Sequence, residues 1–252
     1  MHNEYDTYEG FAERYDLFFG EFSKHPPVII DFFKQLFDEN HVNSVLDCAC
    51  GTGRDIYLFN SLGCEVYGSD ISEAMLNQTR KNLSILNLEL PLSRVDYRKL
   101  PDFFDERFDA VTCLGGSISE MPNESEALRA FESMCQVLGE DGILVIAQAR
   151  TDKQWKEKPR FIPMVNTKDF SRICVIDYFE KGARYNILDI LHSEENDDFN
   201  VWSIDYLHIL LRDDFDRLLK SAGFKEINFY GNYYFDPYDK DTSNNLVVVA
   251  KK

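Results

Sequence analysis

The hydrophobic positions of the chain follow two alternating periods, one typical of buried strands and one typical of amphipathic helices. Compact apolar runs predict strands, and apolar residues at helical spacing between them predict helices. Strands that alternate with helices favour a parallel sheet that helices cover on both faces. The predicted strands lie at residues 44–48, 64–68, 92–97, 108–113 and 143–147, and the clearest helices at residues 72–86 and 124–138.

The pattern differs before and after this alternation. The first forty residues show helical spacing that Pro26 and Pro27 interrupt. After Arg150, extended runs without a helix among them predict antiparallel strands at residues 172–180, 183–192 and 199–211. A helix and two strands then close the chain at residues 212–222, 224–230 and 246–250. We therefore predict one α/β domain in four parts: an N-terminal helical lid (1–40), a core (41–150), an antiparallel β insertion (151–211) and a C-terminal part of the core (212–252).

Composition narrows the classes of partner. The chain has 27 basic and 44 acidic residues, which gives a net charge of −17. Because this charge repels phosphate backbones and anionic lipids, we expect neither nucleic acid nor a membrane as a partner. No apolar run approaches the roughly 20 residues of a membrane span, and the start of the chain has no signal-peptide pattern. The six cysteines are scattered through mostly apolar runs, so we expect reduced thiols and a cytoplasmic protein.

The most informative segment joins the first predicted strand to the helix after it. Gly51 and Gly53 lie in this turn, where bare backbone lets a ligand approach; a tight strand-to-helix turn is the alternative. Asp70 ends the second strand, where a carboxylate can accept both ribose hydroxyls of a nucleoside cofactor. Asp96 and Tyr97 follow the third strand, where they can meet an adenine edge. These strand ends converge on the edge where open α/β sheets bind ligands.

The same segment also distinguishes between classes of cofactor. Proteins that bind NAD place a third glycine in this turn to pack the helix and make room for a pyrophosphate. Here Arg54 and Asp55 follow Gly53, and the carboxylate of Asp55 would repel a pyrophosphate. A cofactor without phosphates therefore fits this sequence better than NAD does.

These segments resemble the motifs of the class I S-adenosylmethionine-dependent methyltransferases. The resemblance implies a Rossmann-like fold, with a seven-stranded, mostly parallel sheet, helices on both faces and an antiparallel β insertion after strand five. It also implies the strand order 3-2-1-4-5-7-6, with strand seven antiparallel to the others. The matching segments, in the order of the family's motifs, are residues 46–53, 68–76, 96–100, 108–115 and 138–144.

The resemblance also implies a cofactor, S-adenosyl-L-methionine, and its product, S-adenosyl-L-homocysteine. Residues 8–16 resemble the amino-terminal segment of small-molecule methyltransferases that close a helix over the cofactor, and residues 47–55 are similar to the glycine and sarcosine N-methyltransferases. The β insertion, followed by residues 206–212, resembles both these enzymes and the amino-sugar N,N-dimethyltransferases. We therefore expect a small-molecule methyl acceptor, with an amine nitrogen as the methylated atom. The cofactor residues that the resemblance implies are Asp47, Ala49, Gly51, Gly53, Arg54, Asp70, Ile71, Met75, Asp96, Tyr97 and Leu114.

The residues that would serve catalysis and the acceptor carry a weaker signal. Tyr15 on the lid is a candidate catalytic residue or a core aromatic, and His208 is a candidate general base or a packed side chain. An arginine near the acceptor can hold a carboxylate or can neutralise an acidic surface. We expect no metal site, because Cys48 and Cys50 lack a second ligand pair. The candidate acceptor residues are Ser117, Arg150, Tyr206 and Arg212.

Three functions remain open at this point. A methyltransferase that acts on a small molecule accounts for the most motifs. A protein that binds S-adenosylmethionine without turnover would carry the same cofactor motifs, and turnover separates the two. An NAD-dependent oxidoreductase is disfavoured by Asp55. Nothing in the sequence indicates an oligomeric state.

Overall fold

The computed structural model describes residues 6–193 and 198–252, so residues 1–5 of the predicted lid and 194–197 of the insertion lie outside the described residues. Two sheets organise the chain, one of seven strands and one of four. Within the described ranges, no helix combines the length and the apolar character needed to cross a membrane.

The strands and helices have the following bounds. The strands are β1 Ser44–Asp47, β2 Glu65–Asp70, β3 Leu92–Arg94, β4 Phe108–Cys113, β5 Leu138–Gln148, β6 Phe161–Asn166, β7 Phe170–Tyr178, β8 Ala183–Leu191, β9 Asp198–Tyr206, β10 Glu226–Tyr230 and β11 Leu246–Lys251. The helices are α1 Ala12–Tyr15, α2 Pro27–Glu39, α3 Arg54–Ser61, α4 Glu73–Ile85, α5 Glu124–Val137, α6 Asp152–Glu157 and α7 Arg212–Ser221.

The larger sheet has the predicted topology. Its order is β10-β11-β5-β4-β1-β2-β3, with β11 antiparallel to both of its neighbours and the remaining pairs parallel. The Rossmann-like methyltransferase fold and its strand order are therefore confirmed. Since β1, β2 and β4 run parallel, the loops that follow them meet at one edge of the sheet.

Two apolar layers explain why the central strands are almost continuously hydrophobic. Val45 and Leu46 are adjacent in β1 and fully buried on opposite faces of the sheet. On one face α2, α3 and α4 contribute buried residues such as Phe33 and Phe59, and on the other α5 and α7 contribute residues such as Phe131. A strand covered on both faces needs no polar side, which is the pattern from which the parallel sheet was predicted.

The insertion is an antiparallel sheet of four strands in the order β6-β7-β8-β9. The insertion differs from the prediction in several places, including the short helix α6, which was not predicted. Strand β6 was not predicted, because Pro163 interrupts its apolar run and places it at the sheet edge, next to a register shift. Residues 207–211 were predicted to extend the last strand, but they leave the sheet after Tyr206.

The lid is less regular than its sequence suggests. It begins with the four-residue helix α1 and a single 3₁₀ turn, Asp16–Phe18. An irregular stretch then leads to α2, which packs into the core through Phe32 and Phe33. The irregular part of the lid, from residue 6 to residue 26, lies over the edge where the loops meet, and Ile29 and Phe33 of α2 reach the same edge.

Candidate active site

A cavity of about 390 Å³ lies at the edge where the loops after the parallel strands meet. The loop after β1, the ends of β2 and β4, and the lid form its walls. We call it the first cavity. The predicted cofactor residues that line it are Ala49, Gly51, Arg54, Asp70, Ile71, Met75, Tyr97 and Leu114.

The two glycines after β1 have different structural roles. Gly51 has φ +55°, and a Cβ placed on it would meet no atom within 4 Å, so its bare backbone leaves space open. Gly53 has φ +88° and precedes α3, and a Cβ there would lie 2.5 Å from Cγ2 of Thr79. Gly51 thus borders the first cavity, whereas Gly53 lies outside its lining and permits the turn.

Asp70 is the most distinctive charged group of the first cavity. Its Oδ2 accepts a hydrogen bond from the backbone N–H of Gly51 at 2.8 Å, and its Oδ1 accepts one from Ser72 at 2.9 Å. Burial raises the pKa of this carboxyl to about 6. No basic side chain of the described chain lies within 4 Å to offset the free-energy cost of burying its charge. Each oxygen keeps a free lone pair, so the site fits a ligand with neighbouring hydroxyl donors, as on a ribose.

Besides Gly53, two predicted cofactor residues lie outside the lining of the first cavity. Asp47 is 1% exposed and accepts from the backbone N–H of Ala49 at 3.4 Å, so it braces the loop from beneath. Asp96 binds Arg98 through both oxygens, at 3.0 Å to Nε and 2.5 Å to one terminal nitrogen. The prediction that Asp96 meets the adenine edge therefore lacks geometric support, since its carboxylate already holds a cation.

The lid closes the first cavity through polar contacts with three parts of the core. Asp6 accepts hydrogen bonds from the Ser72 hydroxyl and from the Ala74 N–H at the start of α4. Asp16 accepts from the Thr52 hydroxyl and the Asn82 amide. The guanidinium of Arg54 donates to backbone carbonyls of the lid, at Glu21, Phe22 and Lys24. Arg54 thus lines the cavity, but its guanidinium donates its hydrogen bonds to the lid.

A second cavity, of about 370 Å³, adjoins the first and extends beneath the antiparallel sheet. Its own walls include Arg150 and Tyr206, two of the predicted acceptor residues, and also Gln154, Cys174 and Tyr185. Tyr15 and Ser117 line both cavities, so the structure places them between the two. The full set of residues shared by both cavities is Tyr8, Tyr15, Phe18, Phe19, Gly115, Ser117, Glu120 and Tyr233.

Two of the predicted catalytic and acceptor residues lie outside both cavities. His208 points to α5, where its Nε2 lies 3.7 Å from Oε1 of Glu124. Arg212 stacks on Phe229 with its guanidinium 4.4 Å from the ring centroid. His208 was predicted on the assumption that it alternates with Tyr206 and Leu210 along a strand beside the cofactor. Because the chain leaves the sheet after Tyr206, that alternation does not hold.

The shared wall contains an acidic residue that the sequence analysis did not select. Glu120 ends the 3₁₀ turn Ser117–Glu120 that follows β4, and the hydroxyl of Tyr8 donates to its Oε1 at 2.5 Å. Burial raises the pKa of this carboxyl to about 7. Its place in the loop after a parallel strand was a usable signal, but a weaker one than that of Asp70, which is the last residue of β2. Tyr8, Tyr185 and Trp202 carried no such signal, because they reach the site from the lid and the insertion.

Comparisons with known proteins agree with this geometry. A family described as "Methyltransferase domain" matches residues 45–142, the segment that carries β1 to β4 and the loops of the first cavity. A relative named glycine/sarcosine N-methyltransferase, from Aphanothece halophytica, is 27% identical, over 100% of this chain and 91% of its own. The chain is a class I S-adenosylmethionine-dependent methyltransferase. The prediction of an enzyme that uses S-adenosylmethionine is thereby confirmed.

Further comparisons show that this methyltransferase shares its whole fold with solved structures. A S-adenosylmethionine-dependent methyltransferase from Clostridium acetobutylicum superposes with a TM-score of 0.79 at 17% identity, over 97% of this chain and 98% of its own. A sugar N-methyltransferase from Streptoalloteichus superposes with a TM-score of 0.70 at 21% identity, over 94% and 92%. The shared extent includes the β insertion, so the antiparallel sheet belongs to the fold of these relatives.

Proposed function

We propose that this methyltransferase transfers the methyl group to an amine nitrogen of a small-molecule acceptor bound in the second cavity. The observation that carries the proposal is the wall shared by the two cavities, where Tyr15, Ser117 and Glu120 each face both. A nucleophile must stand in line with the methyl group and away from water. A shared wall is where a cofactor in one cavity and an acceptor in the other would meet.

In this proposal the first cavity holds the cofactor, which supplies an activated methyl group on a sulfonium. Asp70 accepts the ribose hydroxyls, and Ile71, half-exposed and lining the cavity, packs on the adenine. Tyr97 and Met75 complete the adenosine side, while Ala49, Gly51 and Leu114 border the methionine side. Residues 6–26 of the lid cover the cofactor, and the insertion forms the acceptor side.

The second cavity supports an acceptor of limited size. Its volume of about 370 Å³ is at the lower end of the range for small-ligand pockets, and the four-stranded sheet covers it. Two relatives support nitrogen as the methylated atom, since the curated one is named a glycine/sarcosine N-methyltransferase and the solved one a sugar N-methyltransferase. An amine of a few carbon atoms or a single sugar ring fits both observations.

Arg150 supports an acceptor that also carries an anionic group. Its side chain is buried in the wall of the second cavity, 3.8 Å above the ring centroid of Tyr206. No carboxylate in the part of the chain that the structure describes lies within 4 Å of it, and its Nε has no hydrogen-bond partner. Because a buried cation without a counter-ion is costly, we propose that a carboxylate on the acceptor completes this site.

The test is a screen for methyl acceptors that follows release of S-adenosylhomocysteine. The screen uses small amines with and without a carboxylate, and hydroxy acids of matched shape. We expect transfer to amino acids or similar zwitterions and none to the hydroxy acids. Arg150→Gln is expected to raise KM for acceptors with a carboxylate by about 10- to 100-fold, the usual worth of a charged hydrogen bond.

The matched control is Arg212→Gln, because Arg212 lies outside both cavities. It is expected to leave KM and the affinity for S-adenosylhomocysteine unchanged. Transfer to a hydroxyl or a carbon acceptor but to no amine would contradict nitrogen methylation. Equal losses in the two arginine variants would contradict a specific role for Arg150.

A further inference from the structure

Glu120 is the one carboxyl group among the residues that line both cavities within the described chain. We infer that Glu120 accepts the proton that an acceptor ammonium must lose before it can be methylated, and that Tyr8 positions its carboxylate for this step. This inference rests on the proposed function, since it concerns an amine acceptor. It adds a catalytic residue and a positioning residue to the site.

The position of Glu120 is fixed by the turn that carries it. The turn Ser117–Glu120 begins four residues after the end of β4. Ile118 and Ser119 within it are fully buried, and the Ser119 hydroxyl donates to Oε1 of Gln148 in β5 at 3.1 Å. The side chain of Glu120 therefore projects from a rigid base into the shared wall.

The two oxygens of Glu120 differ in their surroundings. The Tyr8 hydroxyl donates to Oε1 at 2.5 Å, whereas Oε2 has no hydrogen bond within residues 6–193 and 198–252. Burial also raises the pKa of Tyr8 well above its usual value, so its phenol remains a hydrogen-bond donor at neutral pH. Tyr8 thus holds one oxygen in place and leaves the other free for an ammonium group.

The other polar groups near the wall are less suited to accept a proton. Asp70 lines only the first cavity and binds backbone N–H groups with both oxygens. The Ser117 hydroxyl donates to the carbonyl of Leu114 at 3.1 Å. Burial raises the pKa of Tyr15 far above neutral, so its phenol does not become a base. His208, the base expected from the sequence, faces α5.

Burial is the main cause of the raised pKa of Glu120. The hydrogen bond from Tyr8 lowers this pKa, the charge of Asp70 raises it and the charge of Arg150 lowers it, so the pKa is about 7. A base whose pKa lies near the working pH is substantially ionised and still has a high affinity for a proton. The titratable groups that face Glu120 are Tyr8 and Tyr15 from the lid, Asp70, Tyr97 and Arg150 from the core, and Tyr206 from the insertion.

The proposed step moves one proton. An N–H bond of the ammonium breaks with its electron pair left on nitrogen, and the proton forms an O–H bond at Oε2 of Glu120. Nitrogen then carries the lone pair that methylation needs. The carboxyl returns its proton to solvent before the next turnover, so each methyl transfer releases one proton.

The experiment measures the single-turnover rate of methyl transfer to an amine from the acceptor screen, between pH 5.5 and 9.5. For the wild type we expect a rate that rises through about pH 7, as Glu120 ionises, and then levels off. Glu120→Gln should be about 100-fold slower at pH 7, the usual contribution of a general base, and its rate should keep rising toward the pKa of the acceptor ammonium. Its affinity for S-adenosylhomocysteine should stay within about twofold of the wild type.

Three further variants make the result specific. Glu132→Gln, at an exposed position of α5, should match the wild type throughout. Glu120→Asp should recover part of the rate, and Tyr8→Phe should lower it about 10-fold with an altered pH profile. If Glu120→Gln does not unfold cooperatively, the rates and pH profiles of Glu120→Asp and Tyr8→Phe test the inference in its place. An acceptor amine that is already neutral at pH 7 should reduce the loss in Glu120→Gln to a few-fold.

Two results would overturn the inference, and they are distinguishable. A Glu120→Gln rate within about threefold of the wild type, with the same pH profile, would remove Glu120 from the proton transfer while leaving amine methylation intact. A wild-type enzyme that methylates no amine would overturn the proposed function and the inference with it.

Discussion

At the scale of single residues, Asp70 is a buried carboxylate with no cation to compensate it in the described chain. Replacing it with asparagine keeps its shape but removes a charged acceptor. We expect Asp70→Asn to weaken binding of S-adenosylhomocysteine about 10- to 100-fold, measured by calorimetric titration. In the wild type, affinity should fall as the pH drops below about 6, because protonation removes the acceptor that the ribose hydroxyls need.

Asp96→Asn is the matched control for this measurement. Asp96 is also an acidic residue at a strand end, but Arg98 holds both of its oxygens and it does not line the first cavity. Its replacement should change the affinity for S-adenosylhomocysteine by less than about threefold. A loss equal to that of Asp70→Asn would show that Asp96 contacts the cofactor after all.

The site residues differ in how far the sequence predicts them. Asp70 and Gly51 were predicted because motif spacing after a parallel strand fixes the backbone, and the backbone fixes where the side chain lies. His208 was placed by assuming an unbroken strand, an assumption that fails beyond Tyr206. Tyr8 could not be predicted, because its contact with Glu120 spans 112 residues and depends on how the lid folds back.

At the scale of elements, a buried ion cluster joins the lid to the insertion. Arg172 in β7 donates to both oxygens of Asp189 in β8, at 2.5 and 2.7 Å, and Arg14 of the lid binds the same carboxylate. Arg172 also donates to the backbone carbonyl of Arg14 at 3.0 Å. Both Arg172 and Asp189 are fully buried. The helix that carries Tyr15 is thus tied to the sheet above the second cavity.

This cluster makes the stability of the insertion sensitive to one carboxylate. Asp189→Asn would leave two guanidinium groups with no counter-ion, so we expect the free energy of unfolding to fall by about 3–5 kcal/mol. Denaturant titration measures this change. Asp177→Asn removes an exposed pair with Arg160 on the same sheet and should cost less than about 1 kcal/mol. Similar losses in the two variants would mean that the buried cluster contributes no special stability.

The elements themselves were predicted best where burial on two faces leaves a simple pattern. Strands β1, β4 and β5 are such cases, and their order followed from the resemblance to the family. Strand β6 was not predicted, because an edge strand with Pro163 lacks both the apolar continuity and the hydrogen bonds of a central strand. Residues 207–211 were wrongly extended because an apolar run has the same signature whether it pairs in a sheet or packs in a loop.

At the scale of the whole molecule, two cavities are closed by one segment of chain. Tyr8, Tyr15, Phe18 and Phe19 all come from the lid and line both cavities. The cofactor and the acceptor would therefore enter and leave through the same opening. An opening large enough to release S-adenosylhomocysteine also exposes the acceptor side, so lid motion would couple exchange at the two sites.

The contact between the lid and β9 provides a way to measure the opening of the lid by fluorescence. The indole N–H of Trp202 donates to the carbonyl of Thr7 at 2.8 Å, and its ring stacks on Phe11 with centroids 4.2 Å apart. The chain has one other tryptophan, Trp155, so Trp155→Phe leaves a single fluorophore at this contact. Lid opening should shift its emission to longer wavelength, and S-adenosylhomocysteine should lower acrylamide quenching about twofold. Stopped-flow fluorescence of this variant would time the opening, and a rate equal to kcat would make product escape, rather than methyl transfer, the slow event.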